Sequence, residues 1–234
     1  MRVEVLANAD EVAQGAAEII AADARAAVAL RGRFIVAVSG GRTPWVMLRA
    51  LGAKDVPWVG VHVVQVDERV APEGDPDRNL THIRRSLLDH SPLRPEQIYA
   101  MPVESADLAA AATQYARTLR QLAGSPPVLD LVHLGLGIDG HTASLVPGDP
   151  VLDVTEADVA PTCTYQGRRR MTFTYPTLDR ARRVLWVVTG SEKAGMLARL
   201  RTGDRSIPAG RVRREEALLL TDRASAGAPG PETI

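Results

Sequence analysis

The 234 residues include 28 Lys or Arg and 28 Asp or Glu, so the formal net charge is zero and no global field draws the chain to nucleic acid or membrane. Hydrophobic residues at 45% and charged residues at 24% are ordinary for a globular protein, and the length suits one large α/β domain or two small ones. Cys163 is the only cysteine, which excludes an internal disulfide and fits a reducing compartment; lacking a nucleophile's surroundings, it reads as structural.

Met1-Arg-Val-Glu-Val5 lacks the apolar core of a signal peptide, and no apolar run is long enough to span a bilayer, so a cytoplasmic protein is expected. Residues 3–6 predict a short strand. Asn8 then reads as the N-cap of a helix one face of which is marked by Val12, Ala16, Ile19, Ile20, Ala24, Ala27 and Val28, ending near Gly32. Residues 34–38 predict a buried strand, and Ser39-Gly-Gly-Arg-Thr43 follows, with Thr43 as N-cap and Pro44 at the first helical position. Residues 61–66 form another strand, ending in Asp67-Glu-Arg69. The polar, proline-rich segment 72–79 predicts a loop before a helix over 83–88, and a long alanine-rich helix is expected over 107–122.

A buried strand then runs from Leu129 to Gly135, and residues 151–169 read as irregular with one or two weak strands. Residues 170–174 alternate like a half-exposed strand. Residues 184–188 form a further strand, Gly190-Ser-Glu-Lys193 opens the helix after it, and 217–220 is the last strand. The alternation implies the α/β class: one domain over residues 1–225, with a mostly parallel sheet and helices on both faces, and a flexible C-terminal tail over 226–234.

Three strand ends carry chemistry: Ser39-Gly-Gly-Arg-Thr43, Asp67-Glu-Arg69, and Gly135 to His141. If their strands are parallel, all three meet on one rim of the sheet. The first is a strand-to-helix turn whose free amides, from Gly40 and Gly41 on, make an anion nest; without a Walker lysine it suits a sugar phosphate. Of five histidines, only His141 lies in a glycine-rich turn beside an acid, Asp139. An imidazole there suits proton transfer at neutral pH. His62 and His133 fall inside strands, while His82 and His90 belong to a helix and its end. No histidine pair has zinc-helix spacing, so no metal is expected.

Two other readings compete. Gly135, Gly137 and Gly140 spell the dinucleotide pattern, with Glu156 at the distance of a ribose acid. That pattern needs a helix at its third glycine, and Val146-Pro-Gly-Asp-Pro150 leaves room for barely two turns. Ser39, His141 and Asp67 could compose a hydrolase triad, but no G-x-S-x-G elbow is present.

In Ser39-Gly-Gly-Arg-Thr-Pro44, Asp67-Glu-Arg69 with Asn79, and Leu134-Gly-Leu-Gly-Ile-Asp-Gly-His-Thr-Ala-Ser-Leu-Val-Pro147, the chain resembles the 6-phosphogluconolactonase family, within the glucosamine-6-phosphate isomerase/deaminase superfamily. Residues 170–174, Gly190-Ser-Glu-Lys193 and Asp222-Arg-Ala224 extend the likeness over nearly the whole sequence. The resemblance implies a Rossmann-like fold, a phosphorylated sugar lactone as substrate, hydrolysis in the pentose phosphate pathway, no cofactor, and a monomer or weak homodimer. It also implies that His141 draws a proton from water and that Asp67 and Asp139 shape the site. Arg69, Lys193 and Arg170 would hold the phosphate, with Ser39, Gly40, Gly41, Thr43 and Asn79 around it. Arg78 replaces a common serine, an exchange expected to alter contacts near the substrate, and segment 156–169 is poorly matched. The deaminase branch carries a glutamate soon after its Asp-Gly-His turn; here no acid follows His141 before Asp149. A sugar-phosphate-sensing domain is the remaining alternative.

Overall fold

The computed structural model describes residues 1–227, in which strands and helices alternate along most of the chain. The strands are β1 (Arg2–Leu6), β2 (Phe34–Val38), β3 (Val61–Gln65), β4 (Asp67–Arg69), β5 (Ile98–Tyr99), β6 (Leu131–Leu134), β7 (Val159–Pro161), β8 (Arg170–Phe173), β9 (Arg183–Val188) and β10 (Ala217–Asp222). The helices are α1 (Ala9–Arg31), α2 (Arg42–Gly52), α3 (Asn79–Ser86), α4 (Leu108–Ala123), α5 (Tyr175–Asp179), α6 (Ala194–Thr202) and α7 (Arg223–Ala226). Seven strands form one parallel sheet in the order β1-β10-β9-β6-β2-β3-β5. A separate antiparallel sheet, β4-β8-β7, stands beside it.

Strand residues alternate between two cores. Val36, Val38, Leu185 and Val187 face α1, α2 and α3, while Ile35, Ala37, Val184 and Trp186 face α4 and α6. The alanines on one side of α1 let that helix lie close to the sheet. Asn8 starts it by accepting from the Glu11 amide at 2.9 Å, and Asp107 starts α4 by accepting from Ala109 and Ala110. From β2 the chain moves outward to β3, and after β6 it moves the opposite way to β9. Where two neighbouring strands part in this manner, a crevice opens at their carboxyl ends, and loops meet there.

Several expected boundaries shift for identifiable reasons. Gly41, at φ 134°, rather than Thr43, is the N-cap of α2, which places Thr43 and Pro44 two positions deeper into the first turn. Helix α3 begins four residues before position 83, because Glu68 accepts the amides of Asn79 and Leu80 at 2.8 Å each. Strand β8 is buried at every residue instead of half-exposed, since Arg170 and Thr172 turn toward the cleft and toward Ser144 rather than to water. Cys163 is exposed, its amide donating to Asp149, so it has no packing role. The last strand runs on to Asp222, whose carboxylate caps α7. Of the expected tail, Ala226 and Gly227 close that helix, and residues 228–234 lie outside the described residues.

Candidate active site

The crevice at the switch point is a cleft of about 710 Å³. Segments distant from one another in sequence line it. From the end of β2 come Ser39, Gly40, Gly41 and Thr43, and from β4 and the start of α3 come Asp67, Arg69 and Asn79. The loop after β6 gives Gly137 and His141, with Arg170 and Lys193 completing the wall. Asp139 stands behind His141.

The turn after β6 is built to hold the imidazole. Gly137 N donates to His141 O at 2.9 Å, closing the loop, and Asp139 Oδ1 accepts from the His141 amide at 3.1 Å. The same oxygen meets His141 Nδ1 at 2.5 Å. Carboxylate against Nδ1 fixes the tautomer with hydrogen on that nitrogen and leaves Nε2 as the ring's basic atom. A Cβ on Gly137 would lie 2.1 Å from His141 Nδ1 and 2.7 Å from Asp139 Oδ1, so only glycine admits the pair. Burial pushes the Asp139 carboxyl up, but hydrogen bonds from the His141 amide and ring and from Tyr165 outweigh it and hold the group below its ordinary value. The next residues carry stored strain: Ala143, on the cleft wall, sits at φ 52°.

Facing this turn, β4 and β8 set Arg69 directly across from Arg170 in the antiparallel register. Like charges opposite one another cost energy unless an anion lies between them. Arg69 Nη1 donates to Asp77 O at 2.6 Å and to Asn79 Oδ1 at 3.1 Å, while the Nε of each arginine has no protein partner. Asn79 in turn donates to Asp67 O at 2.9 Å, and Ser144 donates to Asp67 Oδ2 at 2.7 Å. A Cβ on Gly40 would come within 2.1 Å of Asn79 Oδ1, so the strand-to-helix turn and the arginine loop touch only because that position is bare. Glu68, fully buried, is the anchor of the loop: it accepts from Arg69 N, Asn79 N, Leu80 N and Gln65 Nε2, and pairs with Arg78 at 3.4 Å. Arg78 therefore points inward to Glu68 and Ala71 O, away from the cleft where the exchange at that position was expected to act.

Lys193 closes the far wall. Burial lowers its ammonium from the ordinary value, against the opposing charges of Glu192 and Asp222. Thr43 meets Thr189 hydroxyl to hydroxyl at 2.7 Å, tying α2 to the end of β9. The hydrolase triad does not assemble. Ser39 donates its hydroxyl to His133 O at 3.1 Å and its amide to His133 Nδ1 at 3.2 Å, whereas Asp67 serves Ser144 and Asn79. The dinucleotide reading fails as well: Gly140 lies in a turn, donating to Gly137 O, and no helix opens there. Among the described residues no group of three or more His, Cys, Asp or Glu could hold a metal ion. Arg42, Thr189 and Ser144 were not singled out in the sequence. Arg42, adjacent to the nest, was the most visible of them.

The family described as Glucosamine-6-phosphate isomerases/6-phosphogluconolactonase matches residues 7–220. The 6-phosphogluconolactonase of a Nostoc species is 34% identical over 233 residues, covering 97% of each chain. That of Mycobacterium tuberculosis is 36% identical over 238 residues, with 96% of each covered. Among solved structures, a 6-phosphogluconolactonase from Thermotoga maritima superposes with a TM-score of 0.84 at 24% identity, covering 94% of this chain and 98% of that one. A monomeric glucosamine-6-phosphate deaminase reaches the same TM-score at 19% identity, covering 98% and 100%. The shared fold thus hosts both chemistries, and the residues of the cleft must separate them.

Proposed function

This chain belongs to the glucosamine-6-phosphate isomerase/6-phosphogluconolactonase family, and we propose that it hydrolyses 6-phosphoglucono-δ-lactone to 6-phosphogluconate, with His141 as general base and without a metal. The observation that carries this reading is the Asp139–His141 pair on the wall of a cleft lined by Arg69, Arg170 and Lys193. A phosphate monoester is close to a dianion at neutral pH, and two facing guanidiniums, an ammonium and the amides of Gly40 and Gly41 at the start of α2 suit it. Ser39, Thr43 and Asn79 hold those donors in place through the bonds already described.

The reaction then needs only proton transfers. His141 Nε2 takes a proton from a water as its oxygen bonds to the ester carbonyl carbon, giving a tetrahedral intermediate and an imidazolium. Collapse breaks the bond to the ring oxygen, which takes the proton back from the imidazolium as the ring opens. Asp139 stabilises the imidazolium charge between the two steps. Asp67, fixed by Ser144 and Asn79, shapes the floor of the site.

The deciding experiment is a lactonase assay on freshly generated substrate with spontaneous hydrolysis subtracted, beside a glucosamine-6-phosphate deamination control. Acceleration of lactone opening alone supports the proposal. Deamination with no lactone opening would replace it.

A further inference from the structure

The stretch 156–169 has no part in the reaction above, yet its turn reaches the catalytic pair. In Tyr165-Gln-Gly-Arg168, Tyr165 N donates to Arg168 O at 2.9 Å and Arg168 N returns to Tyr165 O at 3.2 Å. Gln166 and Gly167 both stand at positive φ, 51° and 79°, as a type I′ turn requires. The turn is strapped to the loop after β4, where Arg168 pairs with Asp75 at 3.2 Å and Asp77 at 2.9 Å.

Held in this way, Tyr165 touches three groups of the site. Its hydroxyl donates to Asp139 Oδ2 at 3.0 Å, on the oxygen not used by His141. Its ring meets the imidazole edge-on, 5.6 Å between centroids and at 67°. Its face lies under the Arg170 guanidinium, 4.9 Å from the ring centre. Gln166 completes a circuit, accepting from Arg170 Nη2 at 3.3 Å and donating to the Tyr165 hydroxyl at 3.4 Å.

A carboxylate bonded through one oxygen can still swing about its own torsions, and the imidazole swings with it. A donor on the second oxygen fixes the plane of both. We infer that Tyr165 is a positioning residue that aligns the Asp139–His141 pair and steadies Arg170, so the base and the anion contact share one support. This deepens the lactonase reading and rests on it. The remaining charged groups of the cleft are Asp67, Arg69, Glu192, Lys193, Arg42 and Asp222, all left in place by a change at Tyr165.

Two variants separate the two halves of the role. Tyr165→Phe keeps the ring under Arg170 and removes only the hydroxyl, so kcat falls about tenfold, the worth of one aligned hydrogen bond to a charged group, with KM unchanged. Tyr165→Leu also removes the ring, and KM rises in addition. With the phenol gone, more of the Asp139 charge bears on the imidazole. The pH midpoint of the His141 ring resonances, followed by NMR without substrate, therefore moves upward in Tyr165→Phe. An unchanged kcat together with an unmoved titration would overturn the inference, and equal KM in the two variants would remove its Arg170 half. Failure of the wild-type chain to open the lactone would sink the proposed activity instead, because the titration is read without turnover.

Discussion

At the scale of the residue, the proposed mechanism rests on one imidazole nitrogen, Nε2 of His141, whose partner nitrogen is held by Asp139. His141→Ala should lower kcat by about 10²- to 10⁴-fold, the usual contribution of a positioned base, while calorimetric binding of 6-phosphogluconate stays near normal. Near-normal turnover would remove His141 from the mechanism. Gly137→Ala should be almost as damaging although it deletes nothing, since its methyl would occupy the space of Nδ1. The expected signature is a folded protein with lost kcat, checked by thermal melting beside kinetics. His141 and Asp139 were legible in the sequence because an acid and a histidine set among three glycines, just past a buried strand, belong to a turn at the sheet's rim rather than to a core. Tyr165 was not. Its contact with Asp139 spans 26 positions and depends on a turn whose positive φ at Gln166 no residue pattern announces.

Among the elements, the loop Asp67-Glu-Arg69 shows what a motif conceals. Its outer members line the cleft, but Glu68 faces inward and organises the start of α3. Glu68→Ala would strand the amides of Arg69, Asn79 and Leu80 and leave Arg78 without its buried partner. A loss of about 3–5 kcal/mol in denaturant unfolding is expected, with activity falling as the loop loosens. By contrast, Arg69→Ala and Lys193→Ala should raise KM more than they lower kcat, since contacts to a phosphate exist in ground and transition states alike. Unchanged KM in both variants would show the anion to be held elsewhere. Buried parallel strands were legible as continuous apolar runs, β2 and β9 above all. The antiparallel sheet was not: β8 was expected as a strand, but β4 and β7 beside it are only three residues long, too short to signal a pairing.

For the molecule as a whole, His133 links the sheet's interior to pH. Burial pushes its imidazole down to about 3, and it accepts from the Ser39 amide in the neutral form. An unfolded histidine titrates near about 6.5, so the unfolded chain binds a proton that the folded one refuses. Stability from this group is full above that pH and is lost as pH falls toward 3, at up to about 1.4 kcal/mol per pH unit. Unfolding by urea at a series of pH values should show this slope, and His133→Asn should flatten it. Chelation offers a second whole-molecule test: EDTA should leave lactone opening unaffected, and activity lost to it and restored by a defined ion would demand a different mechanism. The switch-point cleft itself followed from three strand ends assumed parallel, which is how distant segments in the sequence could be placed on one rim.

The pairing of β1 with β10, Arg2 against Leu218 through Leu6 against Asp222, joins strands at opposite ends of the described residues. During synthesis, therefore, β1 waits unpartnered until β10 has emerged, while α1 behind it can already wind from local bonds. Closure of such a distant pair carries a large loop-entropy cost and comes late. Until β10 docks, β9 is left as an open border of the sheet, and a polypeptide stalled before β10 would be a template for aggregation and a target for quality-control proteases.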